Sequence, residues 1–365
     1  MEHSGDLTHE NEDRLQPRTS SQSAGRAVVC DEPLEQNGAL SGDALPLRAM
    51  RQVAVIHNPA SGQSSSRRAG EIRRIVEILS AAGITVHAME TDGPGSAARR
   101  ADEAIQQGCE AVLACGGDGT VHEVLQRLTG SSTALGVIPM GTANALAQDL
   151  GLGRSPVRAL EKLLDAEPKA VPVGSIQSTD AEGAQHSRYF TVAGGVGADA
   201  LLMSRLDAGL KRRFGYVLYL VEAARIWITN PFPLFRATFR TSERDSERTE
   251  YVSQILAVRV RSFGGALGQL APGAGLRNGS LRLMAFKTRS RFLYLRFLLA
   301  VLAGRHSFSG RIELLDVVSV ECSHNNGSPA KVYVEADGEV LGTLPARMQI
   351  AAEKLQLLIP PGAQP

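Results

Sequence analysis

From Gln52 onward the chain alternates between two hydrophobic rhythms. Val53-Ala54-Val55-Ile56 is a short unbroken apolar run, as expected of a parallel strand buried on both faces. Further on, Ile72, Ile75, Val76 and Leu79 recur at i, i+3, i+4 and i+7, which places them on one face of a helix. The exchange repeats with a strand over 84–89, a helix over 96–107, a strand over 111–115 and, after another loop and helix, a strand over 135–138. Strands alternating with helices at this spacing predict an α/β fold that begins with a doubly wound domain.

Beyond about Val171 the rhythm changes. Segments 189–193, 235–241, 254–260, 281–286, 317–322 and 331–335 have strand character, and helices are expected only over 214–227 and 291–303. A mostly β sandwich domain is therefore expected after the α/β domain. Residues 1–48 are polar, lack periodicity and carry too little apolar surface to offset the entropy of ordering, so they are expected to form a disordered tail. The expected organisation is a tail over 1–48, an α/β nucleotide-binding domain over 49–170 completed by segment 345–365, and a β-rich domain over 171–344.

Composition narrows the classes. Hydrophobic residues make up 43% of the 365, enough for a sizeable core, and the 37 glycines have no collagen-like period. Lys plus Arg number 39 against 38 for Asp plus Glu, a balance that argues against a nucleic-acid partner. Cys30, Cys109, Cys115 and Cys322 form no CxxC pair and have no histidine at ligand spacing, so neither a disulfide framework nor a zinc site is expected. That usage fits a reducing, cytoplasmic compartment. The polar N-terminus lacks a signal-peptide pattern. The most apolar stretch, 292–303, is interrupted by Arg296 and is about half the ~20 residues that span a bilayer. Contact with a membrane surface, rather than a transmembrane segment, is the expectation.

The candidate chemistry lies at strand ends, where an open α/β sheet gathers its ligands and helix N-termini favour anions. After the first strand comes Asn58-Pro59-Ala60-Ser61-Gly62. After the 111–115 strand comes Gly116-Gly117-Asp118-Gly119-Thr120, with Glu123 following. The glycines allow a tight turn beside a phosphate chain, and Asp118 adds a carboxylate to the same loop. Thr120 is the expected N-cap of the next helix, with Glu123 as its capping-box partner. After the 135–138 strand comes Pro139-Met140-Gly141-Thr142-Ala143-Asn144, where Thr142 and Asn144 either donate to phosphate or ribose or cap the next helix. Convergence of three such loops on one sheet edge points to a nucleotide site. No GxxxxGK[ST] stretch occurs, and the protein-kinase motif set and the Rossmann fingerprint are also absent. Near the end, Asp337-Gly338 between two β runs is a strong hairpin signal.

In their order, Asn58–Gly62, the GGDGT of Gly116–Thr120 with Glu123, Gly141–Asn144, Gly195–Ala200, Lys211–Tyr216 and Asp337-Gly338-Glu339 resemble the diacylglycerol kinase catalytic-domain family, which includes bacterial soluble lipid kinases and sphingosine kinases. The resemblance covers residues 50 to 360. It implies a first domain like that of NAD kinases and phosphofructokinases, and ATP-dependent phosphorylation of a lipid hydroxyl with magnesium. Carried over, it would surround ATP with Asn58, Ser61, Gly62, Thr91, Gly116, Gly117, Asp118, Gly119, Thr120, Glu123, Thr142 and Asn144. Asp118 would stand near the phosphates and Mg2+, and Glu339 or Asp337 would act as general base. The implied partner is a lipid substrate, first of all diacylglycerol, at the membrane surface; the oligomeric state, a homodimer among the options, stays open at this point.

Departures are present. Ala145 and Gln148 stand where the family often has Asp and Arg. Arg277 and Asn278 replace acids that in some members hold a structural metal, so that site is not carried over. His122 and His306 are expected to be structural. A sphingoid base or ceramide is the neighbouring substrate reading. An NAD kinase-like enzyme or a catalytically silent lipid-binding protein would carry similar glycine loops, and the late DGE weighs against both.

Overall fold

The computed structural model describes residue 1 and residues 45–59, 65–179, 182–205, 221–241, 247–263, 268–305, 310–325 and 330–364. The expectations for the tail, Ser61, Gly62, Lys211–Tyr216 and His306 fall wholly or almost wholly outside these residues.

Asp43 to Pro365 cluster as one unit. Leu47, within the stretch expected to be tail, is fully buried in the first of two cores. That core is built on β1 (Gln52–His57), β2 (Thr85–Glu90), β3 (Ala111–Gly116) and β4 (Ala134–Pro139), joined by α1 (Ser65–Ala81), α2 (Ser96–Gln106) and α3 (Asp118–Leu128). The strands are parallel in the order β4-β3-β1-β2. Every residue of β3 and β4 is buried, which is why both are continuous apolar runs with no alternation. The short α4 (Ala145–Asp149) and α5 (Pro156–Leu163) follow.

The β-rich half contains β5 (Glu167–Thr179), β6 (Gln185–Phe190), β7 (Ala193–Val196), α6 (Ala198–Arg205), helical residues 221–229 (α7), β8 (Phe235–Arg240), β9 (Glu247–Val252), β10 (Gln254–Val258) and β11 (Leu281–Phe286). Then come α8 (Arg291–Leu302), β12 (Ile312–Val317), β13 (Ser319–Ser323), β14 (Tyr333–Ala336) and β15 (Glu339–Ile359). Its strands enclose a second core that includes Phe190, Phe235, Phe239, Ile255 and Met348. The halves share hydrogen bonding: β15 pairs with β14, β13 and β5, and then reaches β4 in parallel at Leu357 opposite Leu135.

Two strand readings need correction. β5 begins at Glu167 and runs through the expected boundary at Val171. Its prolines argue against a strand, but Pro172 sits at a register shift, where a missing N–H is tolerated. The single strand expected over 317–322 is two, broken at Val318, because β12 pairs with β11 and β13 with β15 and β8.

Candidate active site

The parallel register aligns the carboxyl ends of the first strands: His57 lies opposite both Cys115 and Glu90, and Gly116 opposite Pro139. Asn58, Thr91, Gly117 and Gly141 therefore emerge along one edge. Main-chain bonds continue the ladder past the strand ends, from Asn58 N to the Cys115 carbonyl (3.3 Å), Thr91 N to His57 (2.9 Å) and Met140 N to Gly116 (2.9 Å). The second and third loops touch directly. A Cβ on Gly141 would lie 2.5 Å from Gly117 Cα, so only glycine allows this approach.

Asp118 fastens the same loops. Its Oδ2 accepts the N–H of Asn144 (3.0 Å) and its Oδ1 that of Ala145 (2.8 Å), at the start of α4. Burial pushes this carboxyl above its ordinary range, the two N–H bonds pull it back, and the charge of Asp337 adds to the upward push. Asn144, in the left-handed region with φ 49°, closes on Gly141: its Oδ1 accepts the Gly141 N–H (2.9 Å) and its Nδ2 donates to the Gly141 carbonyl (2.8 Å). Asn144 stands at the N-cap of α4, but its side chain makes no capping bond there and fastens Gly141 instead, a role beside the two the sequence left open. Thr142 beside it is exposed.

The expected capping box does not form. α3 starts at Asp118 with Gly117 as N-cap, and Thr120 is buried in the first turn. Glu123 instead accepts the N–H groups of Gly95 (2.8 Å) and Ala97 (2.9 Å), capping α2. Carboxylates satisfy orphan N–H groups at any helix start they reach, and here packing of α2 on α3 decides which.

The acidic turn faces these loops. Asp337 (φ 48°) and Gly338 (φ 86°) form a two-residue turn between Ala336 and Glu339, as the Asp-Gly pair predicts. The Asp337 carboxylate accepts N–H groups from Thr191 (2.9 Å), Val192 (2.8 Å) and Ala193 (3.0 Å), and buried His122 lies 3.6 Å away. The side chain is only 5% exposed. Glu339, by contrast, is exposed, and its carboxylate accepts no hydrogen bond among the described residues. Its Oε1 stands 3.4 Å from the point where a side chain would begin on Gly119, directly over the GGDGT loop.

A second pair of acids lies behind the turn. Glu335 is buried and accepts the Gly338 N–H (2.7 Å) through Oε2, while its Oε1 lies 2.7 Å from the Cβ position of Gly195. The Asp199 carboxylate crowds the same point, and neither of its buried oxygens has a hydrogen-bond partner. Burial drives Asp199 up to about 7 and, with the Asp199 charge adding to it, drives Glu335 well above the carboxylate range. Sequence reasoning assigned neither a role. The available signal was Glu335 itself, an acid flanked by Val334 and Ala336 in a strand.

The segment 276–280, not carried over as a metal site, is closed by a cation of the chain's own. Arg259, 1% exposed, donates to the carbonyls of Leu276 (2.7 Å), Pro172 (2.9 Å), Asn278 (3.2 Å) and Ser280 (3.3 Å). Burial lowers it to about 10. These carbonyls are occupied, and a structural metal does not fit beside the guanidinium. Cys109, Cys115 and Cys322 are free and buried, and burial pushes their thiols up.

Comparison with known proteins places this geometry. The model of the diacylglycerol kinase catalytic domain matches residues 52–176, and that of the YegS C-terminal NAD kinase beta sandwich-like domain matches residues 193–359. The chain is 28% identical over 335 residues to a diacylglycerol kinase of Mycobacterium tuberculosis, covering 88% of this chain and 99% of that one. It is 24% identical over 314 residues to a diacylglycerol kinase of Bacillus subtilis, covering 85% and 97%. The crystal structure of a diacylglycerol kinase from Bacillus anthracis superposes with a TM-score of 0.62 at 18% identity, covering 86% and 99%, and shares the fold. With both halves matched in order and the glycine loops facing the acidic turn, the chain belongs to the diacylglycerol kinase catalytic-domain family and is a phosphotransferase acting on an alcohol group.

Proposed function

We propose that this enzyme transfers the γ-phosphate of ATP to the hydroxyl of a lipid, diacylglycerol being converted to phosphatidic acid. The observation that carries the reading is the contrast among the three acids of the motifs. The carboxylates of Asp118 and Asp337 are held by main-chain N–H groups, whereas Glu339 is exposed over the glycine loop. Glu339 is then the base that takes the hydroxyl proton, a role typically worth about 10²–10⁴-fold. Asp337 positions it by fixing the turn.

The loop edge fits a nucleotide triphosphate. Small residues at Gly117, Gly119 and Gly141 let main-chain N–H groups approach phosphates at the start of α3. Among the described residues no three His, Cys, Asp or Glu side chains group around a cation position. Magnesium then fits as a companion of the nucleotide phosphates, which it usually is, and neutralises their charge. Asp118 serves by holding the Gly117 and Gly141 loops together rather than by ligating the ion itself. The names of the curated relatives favour diacylglycerol over a sphingoid base or ceramide.

The test is transfer of labelled γ-phosphate from Mg-ATP to detergent-dispersed diacylglycerol, sphingosine and ceramide, with NAD in parallel. Label on diacylglycerol is the expected result. Label on NAD alone, or ATP binding with no transfer to any acceptor, overturns the proposal.

A further inference from the structure

A helix apolar on every side is normally enclosed. α8 is such a helix, yet only Phe297 and Val301 of its side chains are buried. Phe292 is 70% exposed and Leu299 56%, with Leu298 and Leu302 also exposed. α7 adds Trp227 and Ile228, the latter 60% exposed. The two helices meet through Trp227 Nε1, which donates to the Arg291 carbonyl (2.9 Å), and through Arg291, which donates to the Asn230 carbonyl (3.3 Å). Half of the large apolar side chains exposed among the described residues thus belong to one two-helix surface.

Its charge is one-sided. Between Thr288 and Arg305 the chain carries Arg289, Arg291, Arg296 and Arg305 and no acid. On α7, Glu222 is paired with Arg225 (3.6 Å). A two-fold contact between copies would set these arginines against one another. An anionic lipid surface would instead meet apolar side chains with acyl chains and arginines with phosphates. No helix among the described residues is long and apolar enough to cross a membrane, so the helices would lie in the interface plane.

We infer that the exposed face of α7 and α8 docks the enzyme on an anionic lipid bilayer. This rests on the lipid-kinase reading and gives it a geometry. The opposite side of α8 leads to the acceptor side of the site. Tyr294 stacks on Phe286 (4.8 Å) and Phe232 (4.4 Å), and its hydroxyl meets Ser253 Oγ at 2.8 Å. The Ser253 carbonyl abuts Gly197 at the start of α6, whose Asp199 shares the Gly195 position with Glu335, two residues before the turn that carries Glu339.

The experiment is flotation of the full chain with phosphatidylcholine vesicles, with and without phosphatidylglycerol, for wild type, Phe292→Ser/Leu299→Ser and Arg291→Gln/Arg296→Gln. Binding to the mixed vesicles is expected. The apolar variant should lose it by about tenfold or more, and the arginine variant by roughly fivefold per charge at low salt. An unchanged melting temperature in both variants shows that the fold survives. Equal binding by all three proteins, no binding by wild type, or a dimer that the apolar variant dissociates would each overturn the proposal. Wild type that labels lipid in detergent but ignores vesicles removes the docking surface and leaves the kinase reading. Vesicle binding without phosphate transfer does the reverse.

Discussion

Around the parallel sheet, carboxylates act as fasteners for helix starts; in the β-rich half, buried charges are enclosed deep in the sheet structure with unequal success. Asp118 caps α4 and Glu123 caps α2, each meeting two N–H groups at a boundary the chain had to close in any case. In the β-rich half, Asp337 is enclosed by three N–H groups and Arg259 by four carbonyls, whereas Asp199 and Glu335 crowd one space. A charged residue in a motif is therefore not by that fact a reactive one. Among Asp118, Asp337 and Glu339, what differs is whether the main chain has already used the carboxylate's hydrogen-bonding capacity, and Glu339 is the one of the three where it has not.

The largest effect is expected at Arg259. Replacing it with Met leaves one buried and three partly buried carbonyls without their donor, the buried one costing about 1–3 kcal/mol and the others less. We expect a stability loss of several kcal/mol in denaturant titration, and no change in the wild-type melting temperature on adding a chelator, since the guanidinium closes segment 276–280. A melting temperature that falls with chelator would mean that a structural metal is held after all.

A smaller effect sharpens the contrast at Asp199. Its carboxyl is raised to about 7 in the folded chain, chiefly by burial, so the folded state holds a proton that the unfolded state releases near pH 4. The stabilisation is complete below about pH 4 and is lost as pH rises through about 7. Thermal melts should therefore show stability falling from pH 5 to pH 8, with Asp199→Asn flattening that slope and exceeding wild type at pH 8 by about 1 kcal/mol or more. A variant with the wild-type slope would assign the pH dependence to another group.

The legible and illegible parts of the sequence follow the same division. β3 and β4 could be recognised because strands buried on both faces are uninterrupted apolar runs. The Asp337-Gly338 turn was equally plain, since the pair suits two positive φ angles. β5 was hidden by Pro168 and Pro172, the second of which sits at a register shift that exists only because β15 is beside it. Of the site, the motifs marked Asp118, Asp337 and Glu339 alike. Which acid stays accessible depends on partners 26 to 146 residues away in the chain, such as Asn144 for Asp118 and Thr191 for Asp337. The misassigned capping box has the same origin: local spacing linked Glu123 to Thr120, and packing gave it to α2.

On the proposed reading, Glu339 alone carries the proton transfer while Asp337 holds the turn. It is tested most directly by measuring phosphate transfer and thermal stability together for Glu339→Gln and Asp337→Asn. Glu339→Gln should lower kcat by about 10²-fold or more with the melting temperature unchanged. Asp337→Asn should lower the melting temperature, because an amide cannot accept the three N–H bonds as a carboxylate does. A Glu339→Gln enzyme of near wild-type rate, or an Asp337→Asn enzyme of full stability and no activity, would contradict it.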